Sequence, residues 1–416
     1  MFCVTDCNDN EKWLQSFSSP ASQARVIATP HYPRTGSTTS CLGVLVDVEL
    51  INNTALVAGF TLGMMPDGRE SVVVVVKGSY SIPSNSSATP VLLEEQLALQ
   101  EADTFHGDPG FSSPLLEADF ALIKQRCDIT LIGTAHAPGD KPAQRVQTGF
   151  KVGTTSKLVD VLGDRHWIAD ANGISISQPA SFLLRPFTYD IAFGGTDRAH
   201  EDTRLHDAYL PNPSGIGYHK ALDQHLVDGT PAPSTEEPGK PVKHPHELLR
   251  PMSFGPVGRG WQPRVGYGGT YDDDWLDQRF PFLPDDFDLR YFQSSPADQQ
   301  CHYLQGGEQV RLVNLTPSGR CQFQIPQLHV PVCFFKKKSQ RVEKKAVIDT
   351  LVIEPDEGRF TLTWRTQIPL QRNLFEIPEI LVGTASRNGG RARDSDKPLQ
   401  STTVRADNTD AGSSNE

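Results

Sequence analysis

Long apolar runs are missing from this 416-residue chain: its longest uninterrupted aliphatic stretch is Val72–Val76, far short of the ~20 residues that a membrane-spanning helix needs. No transmembrane segment is expected. Basic residues are in the minority, with 39 Lys and Arg against 50 Asp and Glu and a net charge of -11. Such a balance opposes the counterion release that draws proteins onto nucleic acid, and it disfavours anionic membranes. Neither kind of partner is expected. Met1 to Ser19 carries Asp6, Asp9 and Glu11 and lacks the basic start and apolar stretch of a secretory signal, so the protein is expected in the cytoplasm. A disulfide framework is lacking too. Cys3, Cys7, Cys41, Cys127, Cys301, Cys321 and Cys333 are an odd number scattered over a long chain, which fits reduced thiols.

The motifs that announce common enzymes are absent. There is no G-x-x-x-x-G-K-[ST] phosphate loop and no G-x-S-x-G elbow. His246-Glu247-Leu248-Leu249-Arg250 begins like a zinc helix, but Arg250 stands where a second histidine would supply a lone pair. Cys3 and Cys7 form a CxxxC pair without a second pair nearby. His200, His206, His219, His225, His244 and His246 crowd one loop-rich region at irregular spacing, as polar loops commonly do. His136 and the run Asp164-Arg165-His166-Trp167 sit at the ends of apparent strands with no nucleophile in a recognisable strained turn. No cofactor and no metal are expected. Lys336, Lys337, Lys338, Lys344 and Lys345 are the one basic cluster, read as a solvated loop or a contact for an acidic partner.

One catalytic alternative stays open. Asp272, Asp273, Asp274, Asp277, Asp285, Asp286 and Asp288 surround Phe280-Pro281-Phe282-Leu283-Pro284, and a pair of such carboxylates can hydrolyse a glycoside or similar polar substrate. Equally, these acids can cap short helices and turns.

What the chain has in abundance is β pattern and punctuation. Phe360 to Arg365, Cys321 to Ile325, and Val146 to Val152 alternate apolar and polar residues, the period of a half-buried strand. Leu42–Ile51, Ala55–Leu62, Ser71–Ile82, Ile129–Ala137, Val310–Leu315 and Ala346–Glu354 are apolar on both faces or rich in β-branched residues. With 34 Gly and 32 Pro, turns separate them, as in sandwiches and barrels. Helical pattern is confined to Glu94–Ala102, Leu115–Lys124 and Asp272–Phe280.

The expected fold is mainly β, with sandwich-like antiparallel sheets built from N- and C-terminal strands around a long, ordered, strand-poor insertion. The expected boundaries are a polar arm 1–24, a β-rich region 25–196, the insertion 197–300, completing strands 301–383 and a disordered tail 384–416. The insertion is dense in Gly, Pro, His and Asp yet carries Tyr209, Tyr218, Phe254, Trp261, Tyr267, Tyr271 and Trp275, too many aromatics for a disordered linker. Aromatics and arginines on loops of a rigid scaffold are the composition of interface anchors. Trp261, Arg264, Tyr271, Trp275 and Arg279 are the candidates for partner binding. Alternatively they pin the insertion to the sheet, or an edge strand takes the partner by β-augmentation.

The order of motifs in this region resembles a known family. It runs Phe193-Gly194-Gly195-Thr196-Asp197, Asn212-Pro213, Trp261-Gln262-Pro263-Arg264, Gly269-Thr270-Tyr271-Asp272, Arg279-Phe280-Pro281 and Asp285-Asp286, then Asp298-Gln299 and Gly306-Gly307-Glu308. Asp119, Lys124, Asp349 and Trp364-Arg365 fit the same pattern. It is similar to a bacterial family of type VI secretion accessory proteins, first catalogued as a domain of unknown function, over about Val44 to Val382. The resemblance implies a cytoplasmic, non-enzymatic adaptor or chaperone. Its protein partner would be a PAAR-tipped type VI effector or the VgrG spike onto which that effector is loaded. It implies no catalytic residue.

Overall fold

Val72–Val76 organises the architecture. In the computed structural model, which describes residues 48–84, 89–220, 222–337 and 340–384, these valines lie within strand β3 (Glu70–Ser81) and all are fully buried. Alternation sends them to opposite faces. Val72, Val74 and Val76 join the main core with Phe150, Phe323, Phe360 and Trp364, whereas Val73 and Val75 pack with Leu122, Leu99, Phe120 and Phe292. Each valine so buried stabilises the fold by roughly 1.5–3 kcal/mol. A strand apolar on both faces is here the middle layer of three.

Two sheets account for the main β structure. The larger has nine strands. β1 (Glu49–Asn52), β2 (Val57–Met64) and β3 come from the N-terminal side, joined by β4 (Cys127–Leu131). The smaller sheet contains β5 (Arg145–Val152), β6 (Thr155–Leu162) and β7 (Thr235–Glu236). β8 (Gln300–Cys301) returns to the larger sheet, β9 (Gln309–Val313) and β10 (Arg320–Gln324) complete the smaller, and β11 (Val330–Lys336), β12 (Gln340–Glu354), β13 (Arg359–Pro369) and β14 (Glu379–Val382) complete the larger. The larger sheet runs β1-β14-β11-β12-β13-β3-β2, with β4 beside the second half of β12 and β8 beside β4; the smaller runs β7-β6-β5-β9-β10. The β1–β14 and β4–β12 pairs are parallel; the other pairs within these two sheets are antiparallel. Phe323 of β10 stacks on Phe360 of β13 with ring centroids 4.9 Å apart, so the sheets meet face to face over one core. The fold is mainly β and sandwich-like, and N- and C-terminal strands do share one sheet.

Several local expectations change. The polar face of β13 is covered: Thr361, Thr363 and Arg365 are as buried as Phe360, Leu362 and Trp364. The covering layer comes from Glu94–Ala102 and Leu115–Lys124, which are irregular rather than helical. Tertiary hydrogen bonds override their helix propensity. Gln96 exchanges two bonds with the Ser79 backbone, at 2.8 and 3.2 Å, and the Asp119 carboxylate takes the Gln100 amide at 2.7 Å. Cys3, Cys7, Cys41, the arm 1–24 and the tail from residue 385 lie outside the described residues, and the strand expected from Leu42 is described from Glu49.

Between Asp197 and Gln300 the described strands are no longer than two residues. Order comes instead from a local core of Phe193, Tyr209, Val227, Ala232 and Val242 around Trp167. Two short helices, α1 (Gln224–Val227) and α2 (Asp273–Gln278), interrupt the loops. Among the described residues no helix is long and apolar enough to cross a membrane.

Candidate functional site

Residues 269–288 form a spur built on α2. Asp272 caps the helix by accepting the Trp275 amide at 2.9 Å, and Asp273 and Asp274 occupy its positive N-terminal turn. The indole of Trp275 organises the rest. Its ring meets Tyr271 edge-on at 4.8 Å and Phe280 at 5.6 Å, and its Nε1 donates to the Phe282 carbonyl at 2.8 Å. Arg279 ties the spur to the β2–β3 turn: its guanidinium donates to the carbonyls of Pro66 and Leu283, each at 3.2 Å, and pairs with Asp285 at 3.0 Å. Thr270 closes the base through two bonds to Asp286, at 2.9 and 2.7 Å. Gly269 is required there, because its φ is +83° and a Cβ would stand 2.8 Å from an Asp286 oxygen.

The spur ends in apolar surface. Phe280 is 63% exposed, Leu276 55%, Phe282 40% and Tyr271 38%. The same stretch carries seven aspartates, at 272, 273, 274, 277, 285, 286 and 288, and one cation, Arg279, while Arg290 just beyond it pairs with Asp288 at 2.6 Å. Hydrogen bonds from Thr270 hold the Asp286 carboxyl below its ordinary range, and the side-chain bond from Arg290 does the same for Asp288. A glycosidase acid needs the opposite displacement. The acid run is organised as caps, turns and ion pairs.

The five anchor candidates therefore divide. Tyr271, Trp275 and Arg279 come together in the spur, whereas Trp261 and Arg264 are interior residues. Trp261 packs edge-on against Tyr189 at 5.5 Å. Arg264, 4% exposed, donates to the Tyr291 carbonyl at 2.9 Å and the Val257 carbonyl at 2.7 Å, and it contacts Glu117. Glu117 also meets Arg259 at 2.9 Å and Lys124 at 3.7 Å. Burial alone would raise its pKa, but Arg264, Arg259 and Lys124 together override that and hold it well below the usual carboxylate range.

Other charged pins fasten the insertion and the covering layer to the sheets. Lys124 and Asp128 pair at 2.7 Å, Lys77 and Asp119 at 2.9 Å, and Arg365 and Asp349 at 2.6 Å. Lys77, Asp119, Lys124 and Arg365 border a cavity of about 270 Å³ between the larger sheet and its cover, and because each cation there has its own carboxylate, the field is largely self-cancelling. The remaining family-motif residues are also pins. Asp298 pairs with Arg250 at 2.9 Å and Lys157 at 3.4 Å, while Gln299 accepts from Lys157 at 2.7 Å and donates to the carbonyls of Ile129 and Phe254. Phe193 packs on Tyr209 at 5.1 Å. Gly194, at φ +151°, would place a Cβ 2.2 Å from the Asn212 carbonyl oxygen. Asn212 donates to the carbonyls of Tyr189 and Phe193, and its carbonyl takes the Gly195 amide. The Pro213 carbonyl accepts the Thr196 hydroxyl, and Asp197 takes the amides of Ala199 and Lys220. Gly307 donates to Ile325, Glu308 accepts the Gln305 amide, and Gly306 lies against Pro326.

Sequence reasoning missed Leu276, Phe280 and Phe282 as spur surface and Glu117, Asp128 and Lys157 as pins. A visible signal for Asp128 was a lone carboxylate inside the apolar run Cys127–Leu131, because buried charge demands a partner. The clustered histidines act locally: His206 bonds the His200 carbonyl at 2.8 Å and His219 the Thr230 hydroxyl at 3.1 Å. Among the described residues no group of three or more His, Cys, Asp or Glu is placed to hold a metal ion.

Residues 67–365 match the family model described as an uncharacterized protein conserved in bacteria, DUF2169. No curated protein and no solved structure matches the chain.

Proposed function

The chain belongs to DUF2169, a family conserved in bacteria, and we propose a binding function rather than a catalytic one: the protein is an adaptor that grips another polypeptide through the 269–288 spur. The supporting observation is exposed apolar surface, Tyr271, Leu276, Phe280 and Phe282, held by a capped helix and a guanidinium clamp on a rigid sheet. Aromatic surface fixed before binding loses little entropy on association and supplies hot-spot contacts. The exposed acids of α2, Asp273, Asp274 and Asp277, favour a partner segment that carries Lys or Arg beside apolar residues.

Motif resemblance extends this reading to type VI secretion. The protein would act in the cytoplasm as a chaperone for a PAAR-tipped effector and assist its loading onto the VgrG spike. Deleting the protein should lower export of the cognate effector while general secretion through the apparatus continues. Phe280→Ala should reproduce that loss with normal protein levels. Unchanged effector export in the deletion strain would overturn the assignment.

A further inference from the structure

Two thiols that the proposed function leaves unused face each other across a strand pair. Cys127 of β4 and Cys301 of β8 are direct register partners in an antiparallel pair, so their side chains leave the same face of the sheet beside each other. Residues so opposed have Cα atoms about 4.5–5.5 Å apart, within the roughly 4.4–6.8 Å that a disulfide spans. Both are free thiols, Cys127 buried and Cys301 partly exposed. Their environments differ in kind. The neighbouring Cys127 thiol and then the charge of Arg126 lower the pKa of Cys301, whereas burial pushes the Cys127 thiol well up. The accessible sulfur is thus the readier thiolate, and thiolate character together with access selects the sulfur that reacts.

We propose that Cys127 and Cys301 are a peroxide-sensitive dithiol that closes reversibly into a strand-to-strand disulfide, Cys301 attacking and Cys127 resolving. The Cys301 thiolate attacks one oxygen of hydrogen peroxide; the O–O bond breaks, giving Cys301 sulfenic acid and hydroxide, which takes up the proton that Cys301 released. The Cys127 sulfur then displaces the sulfenic oxygen, which leaves as water with the Cys127 proton. Two thiols lose two electrons, and one peroxide becomes two waters. The new bond would staple β8 to the strand that carries Asp128, directly behind the 293–299 segment whose side chains pin the insertion.

Peptide mapping of the full chain after hydrogen peroxide treatment and alkylation tests this. Two of the seven thiols should disappear, a 127–301 cross-linked peptide should appear, and dithiothreitol should restore both. Cys127→Ala should leave Cys301 as a sulfenic acid that dimedone traps, and Cys301→Ser should leave Cys127 reduced. Recovery of both cysteines as alkylated thiols from treated wild-type protein overturns the proposal, as does bonding of either to a different cysteine. If a variant fails to fold, the wild-type map alone decides.

Discussion

Asp128 accepts six hydrogen bonds, from Lys124, the Gln293 amide, and the backbone and hydroxyl groups of Ser294 and Ser295. A charge with no solvent exposure survives only with such compensation. Asp128→Ala strands Lys124 and the surrounding donors, and should lower unfolding free energy by about 3–5 kcal/mol, measured by urea titration. Two buried groups make stability depend on pH in opposite ranges. Glu117 has a native pKa below its ordinary value of 4.5, so its contribution is fully present above that pH and is lost as pH falls toward the native value. Glu117→Gln should therefore flatten the acid limb of the stability curve. Lys157 is driven down by burial to about 8 from 10.5, against the opposing pull of Asp298. Between those values the unfolded chain binds more protons, so stability rises with pH. Wild type should gain about 3 kcal/mol relative to Lys157→Met across that window, read from denaturation at pH 7 and pH 11.

At the scale of elements, the spur and the 193–215 turn respond differently to mutation. Phe280 is exposed, so Phe280→Ala should shift stability by less than about 0.5 kcal/mol yet weaken partner capture by more than ~1 kcal/mol; titration calorimetry with purified effector separates the two. Gly194→Ala has no such freedom, since a methyl group would overlap the Asn212 carbonyl. It should cost more than about 2 kcal/mol, visible as a lower unfolding midpoint. Local pattern announced α2 because the cap Asp272 and the first-turn acids adjoin in sequence. It announced β5, β10 and β13 through alternation. It did not announce the non-helical course of Glu94–Ala102, whose partner is the Ser79 backbone of another element. Nor did it separate Trp261 from Trp275: both stand among Gly, Pro and Arg, and only Tyr189, distant in sequence, marks the first as interior.

For the whole molecule, the mainly β class was readable because short strands with turn residues between them repeat along the chain. The layering was not, because Val73 and Val75 could find their cover only in the 97–123 and 292 segments. Pairing of β3 with β13, from Ser71 against Pro369 to Ser81 against Arg359, joins the two ends of the described fold. Bacterial ribosomes extend a polypeptide by about 5–20 residues per second, so tens of seconds separate the emergence of these strands. A nascent chain thus carries its five consecutive valines with one flank bare until translation is nearly finished, and a C-terminal truncation before Arg359 should yield insoluble product. Until then the free edge of that strand is open to pairing with neighbouring chains on the polysome.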